Sequence, residues 1–305
     1  MRSPIVCIAF VASLLPLVAC GGSSAGVVDG PSSSSGGASS SSSGGGASSS
    51  SGGSSSGEPD PGGPRVRVIM SGTTASFTHA DGFAGETPTR EIVAVKSLRL
   101  YRSPGDAQPV KIFDHGASTV EVELVSAKPT LVAERAVKNL PAGVFTMAKV
   151  GVAYVRYSVA ATMHGPPVVP GGYDNVQALS DGAVIDGVSR KKGYFKYTFV
   201  VGGTPAGTRE GENAPTPVAT ATGGIGMDMS GPETFYVFPV QVAIDPNVAV
   251  DQVAKFVVNV FESFRWQDQS MPGYATKVFD TTPSGFEPIM AFGANTFALT
   301  ITPKQ

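Results

Sequence analysis

From residue 65 onward the chain repeatedly sets apolar side chains two positions apart. Val120, Val122 and Leu124 alternate with Thr119, Glu121 and Glu123. Phe195, Tyr197, Phe199 and Val201 share one face, as do Tyr236, Phe238, Val240, Val242 and Ile244. A period of two is the mark of a half-buried strand, since successive side chains leave a pleated backbone on opposite sides. The same reading predicts strands at Val66 to Met70, Ile92 to Arg102, Val110 to Asp114, Leu131 to Leu140, Val144 to Met163 and Thr296 to Thr302, the long Val144 run bulging or bending at Gly151. Turn signals such as Ser103-Pro104-Gly105-Asp106 separate them. Ten or more strands with hardly a helical stripe predict an all-β fold, a β-sandwich of Greek-key or jelly-roll-like type.

One run fits two periods. Val250, Val253, Val257, Val260 and Phe264 match a helix, while Phe256, Val258, Val260, Phe264 and Trp266 match a strand with Glu262 as the exception. The density of Val and Phe favours the strand. Two stretches lack periodicity and read as long connections: His164 to Gly182, and Gly202 to Glu233, the latter rich in Gly, Pro and Thr and expected to be partly disordered.

The N-terminal region obeys different physics. Arg2 precedes an apolar core from Ile5 to Val18, interrupted by Ser13 and Pro16 and too short for a spanning helix, and the core ends in Leu17-Val18-Ala19-Cys20-Gly21. This segment resembles the bacterial lipobox. The resemblance implies cleavage before Cys20, acylation of Cys20, and, with Gly21 rather than Asp next, sorting to the outer membrane of a Gram-negative envelope. Cys7 would leave with the leader, so Cys20 would be the only remaining cysteine and the folded part could form no internal disulfide. Gly21 to Pro64 is almost wholly Gly and Ser, with nothing to bury against the entropy of ordering it. As a flexible spacer it has a typical reach of ~35 to 40 Å. The expected organisation is therefore a signal peptide at 1–19, a lipidated Cys20 with a disordered linker at 20–64, and a sandwich domain at 65–305. Gly53-Ser54-Ser55-Ser56-Gly57 formally matches a nucleophile elbow, but inside a Ser/Gly repeat it has no strand-turn-helix to sit on.

Charge narrows the partners. Loss of Arg2 with the leader takes the formal charge from −2 to −3, which gives no footprint for nucleic acid. Arg190-Lys191-Lys192 reads as a solvated turn before a strand. His79, His115 and His164 lack a second ligand at metal spacing, and no phosphate-binding or dinucleotide fingerprint occurs, so no cofactor and no metal are expected. Asp245, Asn247 and Asp251, and Asp174, Asp181 and Asp186, offer oxygens without the spacing of a calcium loop. Glu262, Asp268 and Glu287 could pair as acids only if the fold brings them together.

The candidate ligand-binding segment is Trp266, Arg265, Gln267 and Asp268 with Tyr274 beyond. A lone Trp among planar polar groups is either a stacking surface or the cap of a core, and the core reading is favoured. Leu140-Pro141-Ala142-Gly143-Val144-Phe145 resembles the turn of transthyretin-like β-sandwich modules, which implies a structural role for those six residues. The expected function is that of a non-enzymatic, lipid-anchored envelope protein, held at the membrane through Cys20, with an envelope protein or glycan as partner. The alternative is a carbohydrate or small-ligand binder using the Trp266 region and the long loops.

Overall fold

The computed structural model describes residues 62–214, 216 and 225–304. The lipobox and almost all of the Gly/Ser spacer lie outside the described residues. The strands are β1 (Arg65–Thr73), β2 (Ala84–Glu86), β3 (Arg90–Tyr101), β4 (Val110–Asp114), β5 (Val120–Glu123), β6 (Thr130–Ala136) and β7 (Gly143–Met163). They continue with β8 (Val169–Ala178), β9 (Ala183–Ile185), β10 (Val188–Arg190), β11 (Phe195–Val201), β12 (Thr204–Gly211), β13 (Gly226–Asp228) and β14 (Thr234–Ile244). The last are β15 (Gln252–Asn259), β16 (Phe264–Trp266), β17 (Asp280–Thr282), β18 (Gly285–Phe286), β19 (Ile289–Ala291) and β20 (Thr296–Pro303). Among the described residues there is no α-helix, only a 3-10 turn at Val137–Asn139.

The architecture is an all-β sandwich organised around β7. One edge of this strand pairs with β14 along Gly143 to Val152 and with β8 along Tyr154 to Met163, while the other pairs with β3 and then β17. The register of β3 slips on either side of Val95, opposite Gly151 to Tyr154, so the bulge expected at Gly151 is present. Gly151 is required there, because a Cβ would lie 3.2 Å from the Phe235 ring and would crowd the Ser97 hydroxyl.

Two covers bury one face of this large sheet. Over the first half lies the sheet β20-β15-β1-β6, in which β1 is central, parallel to β15 and antiparallel to β6. Val66, Val68 and Met70 of β1 and Phe256 and Val258 of β15 point inward, and Phe238 stacks on Phe256 at 5.3 Å. Over the second half lies the small sheet β19-β16-β2 with the segment after it. Tyr157, Tyr173 and Tyr197 of the large sheet meet Phe264, Phe279, Phe286 and Phe292 there, with Tyr157 stacked on Phe292 at 5.1 Å and Phe199 edge-on to Tyr173. The opposite face carries a smaller apolar cluster under the β9–β10 hairpin, built from Ala153, Tyr154, Val176, Ile185 and Tyr194.

The ambiguous 250–266 run is strand: β15 and β16 interrupted by a turn at which Glu262 takes φ 46°. Three readings need correction. The Leu131 to Leu140 strand stops at Ala136, where the 3-10 turn begins. His164 to Gly182 is not a long connection, because β8 occupies Val169–Ala178. Its glycines serve packing rather than turning: a Cβ at Gly172 would lie 2.8 Å from the Val159 carbonyl oxygen, and one at Gly171 would meet Phe199 at 2.8 Å. Finally, Gly202 to Glu233 contains β12, hairpinned onto β11, and β13, paired with β14; residues 215 and 217–224 within it lie outside the described residues.

Candidate functional site

The Trp266 segment is interior. Strand β16 is bonded on one side to β2 and on the other to β19. Trp266 is 0% exposed, 5.7 Å from Phe264 and 5.6 Å from Phe279 between ring centroids. Of its two readings, it takes the core one. Arg265 is buried as well. Its guanidinium donates to both Asp81 oxygens, at 2.5 and 3.3 Å, and to the Phe83 carbonyl at 2.6 Å. Burial alone would raise the Asp81 carboxyl, but the hydrogen bonds from Arg265 and from the Phe83 N–H more than offset it and hold Asp81 below its ordinary value. Arg265 is thus a fork joining β16 to the Asp81 loop, with no donor directed at a ligand.

Gln267, Asp268 and Tyr274 belong to the segment that crosses the second cover. The Gln267 N–H donates to the Pro288 carbonyl and the Lys277 N–H to Asp268. Tyr274 packs on the His164 ring at 4.6 Å. His164 in turn pairs with the buried Asp280, Nε2 to Oδ1, at 2.6 Å. The other Asp280 oxygen accepts the Ala275 N–H, and Glu287 accepts those of Gln269 and Asp280. Burial, with Asp280 and Asp268 nearby, pushes the Glu287 carboxyl up, while its two backbone hydrogen bonds pull it down. These acids are fastened to the backbone of residues 268–280, which makes them staples of that segment. Glu262 lies apart, 3.5 Å from Arg265.

Four more of these acids and histidines have local duties. Asp245 caps the Asn247 N–H, Asp251 the Arg65 N–H and Asp181 the Lys192 N–H, while His79 bonds the Phe261 carbonyl. Lys192 donates to the Met229 carbonyl, so the basic triplet is not a free patch. Among the described residues no three His, Cys, Asp or Glu side chains gather as a metal site.

The outer face of the second half carries what sequence reading missed. Cross-strand register aligns Arg90, Ser158, Asp174 and Thr198 in one row across β3, β7, β8 and β11. The adjacent row holds Arg156, Val176 and Lys196. Asp186, at the tip of the β9–β10 hairpin, closes over them, 2.7 Å from Arg156 and 3.9 Å from Lys196. The hairpin is a tight one: Asp186 and Gly187 have φ of 52° and 79°, as a type I′ turn requires. The Arg156 guanidinium holds the Asp186 carboxyl below its usual range. These groups line a polar trough of about 190 Å³. The four strands beneath it are hydrogen-bonded to one another, and the flap is pinned by Ile185 in the smaller apolar cluster. The alternation of Lys196 and Thr198 with Tyr197 and Phe199 already places both on the polar side of β11. Nothing in the sequence reveals that Ser158 and Asp174 stand beside them.

No family model, no curated protein and no solved structure matches this chain.

Proposed function

We propose that this protein is a lipid-anchored component of a bacterial cell envelope, whose sandwich works by binding rather than by catalysis. The observation that carries this reading is the order of the chain: a lipobox-like Leu17-Val18-Ala19-Cys20, then a Gly/Ser spacer, then a strand-built body starting at Arg65. Two or more acyl chains on Cys20 would hold it stably, each buried methylene contributing ~0.8 kcal/mol. Outer-membrane attachment follows from Gly21 as the lipobox pattern implies. No helix among the described residues is long and apolar enough to cross a membrane, so the reading leans on Cys20 for attachment. The non-catalytic half is supported by the acids and His164, whose hydrogen bonds fasten backbone and one another.

The test is fractionation of cells producing the wild-type and Cys20→Ala chains. Wild type is expected in the membrane fraction with fatty acid on its N-terminal peptide, and the variant in the soluble fraction. A variant that stays with the membrane, or a wild-type N-terminal peptide without lipid, overturns the anchor.

The second reading is a small-ligand binder. What favours it is the trough, in which charged and hydroxyl groups from four strands and a flap converge.

A further inference from the structure

We propose that the outer-face trough binds a uronic-acid residue of an acidic polysaccharide. This deepens the ligand-binding reading and does not depend on the lipid anchor.

The charges select the ligand first. Arg90, Arg156 and Lys196 face Asp174 and Asp186, which leaves one net positive charge among the lining groups, with Glu123 at the rim beside Arg90. Arg156 is already committed to Asp186. Arg90 is different: its side chain is 59% exposed and its nearest carboxylate, on Glu123, stands 3.8 Å away. Lys196 reaches Asp186 only at 3.9 Å. Two loosely held cations thus flank the floor, one of them a planar fork matched to a carboxylate. A dianion such as sulfate is disfavoured, because Asp174 lies between them and would repel it.

The floor then asks for hydroxyl groups. Ser158, Asp174 and Thr198 are directly opposite one another on neighbouring strands, so at ~4.8 Å per strand they form a row about 10 Å across. A hydroxyl can donate or accept, and an ionised carboxylate only accepts. The row is therefore suited to a ring that presents several O–H groups side by side. A ligand with one carboxylate and adjacent hydroxyls satisfies both parts, with its carboxylate on Arg90 and its hydroxyls along Ser158, Asp174 and Thr198. A peptide would find no apolar pocket here for its side chains.

The experiment is calorimetric titration of the full-length protein in detergent with oligogalacturonate, with the neutral galactose oligomer of the same length, and with sodium sulfate. Saturable binding of the uronate alone is expected, weakening with added salt. Arg90→Ala should lower that affinity about tenfold. Asp174→Asn separates the proposal from a plain anion site, since it should weaken a uronate that donates hydroxyls to Asp174 and strengthen a simple anion. Equal binding of the neutral oligomer, equal competition by sulfate, indifference to Arg90→Ala, tighter uronate binding by Asp174→Asn, or no uronate binding overturns the proposal. Unchanged melting temperatures for both variants are the folding control, and Arg90→Lys replaces Arg90→Ala if that one melts early. Membrane fractionation of Cys20→Ala is unaffected by any of these results, so the two readings fail separately.

Discussion

Trp266→Ala lowers the free energy of unfolding by about 3–5 kcal/mol, the usual cost of deleting a buried large aromatic and leaving a cavity. The indole sits at 0% exposure between Phe264 and Phe279, in the strand that joins β2 to β19. Its loss leaves a cavity beside Phe264 and Phe279, the rings that meet Tyr157 and Tyr173 of the large sheet. Chemical denaturation followed by circular dichroism measures the effect, and Trp266→Phe should recover part of it. A loss below about 1 kcal/mol would put the ring at the surface, as a binding face requires.

Glu91→Gln makes the protein more stable in alkaline solution, and the gain over wild type grows with pH. Glu91 lies on β3, facing the interior opposite Tyr157, and is 1% exposed. The Ser263 hydroxyl donates to its Oε2, and Oε1 meets no hydrogen-bond partner. It borders an interior cavity of about 20 Å³ that Tyr236 and Gly293 also line. Burial pushes its carboxyl from 4.5 up to about 8, the Ser263 bond pulling the other way and the neighbouring Glu123 adding to the rise. With the folded value raised, the native state keeps the proton that the unfolded chain releases. Stability is therefore full below about pH 4.5, falls by about 1.4 kcal/mol per pH unit above it, and levels off above about pH 8. A glutamine stays neutral throughout, so the variant escapes this slope. Glu86, raised to about 7 mainly by burial while accepting the Ala160 N–H, slopes in the same direction in both proteins. Denaturation at pH 5, 6.5 and 8 reads the difference; a gap between variant and wild type that is constant with pH would show that Glu91 does not titrate in this window.

The strands legible in the sequence included those with one wet and one dry face and also β3 and β7, whose long apolar runs are buried on both faces. β4 has the residues that alternation assigns, and the Tyr236 to Ile244 stripe is buried wherever it faces the first cover. What alternation concealed was of two kinds. In β8 the residues Val169-Pro170-Gly171-Gly172 resemble a loop, because there is no room for a Cβ between β7 and β11 and so the strand is written in glycine. In the β9–β10 hairpin the signal was present, an Asp-Gly pair between Val-Ile and Val, but each strand is only three residues long and gives no period to count. The trough was hidden for a deeper reason. Arg90, Ser158, Asp174 and Thr198 are neighbours only through register, and register between strands far apart in the chain is fixed by packing that no local pattern records. Trp266 carried the chemical signal of a binding residue and Thr198 carried none, yet the first is sealed and the second lines the trough.

The position of β1 has a mechanical consequence. A pull transmitted through the residues before Arg65 runs along a strand hydrogen-bonded on both edges, to β15 from Val66 to Thr73 and to β6 from Arg65 to Met70. Its first residue is further gripped by Asp251 and Glu134. Load along that axis is shared by many rungs at once, in shear, whereas an edge strand would peel one rung at a time. A tether attached before Arg65, as proposed above, would thus load the middle of a sheet instead of unravelling its border.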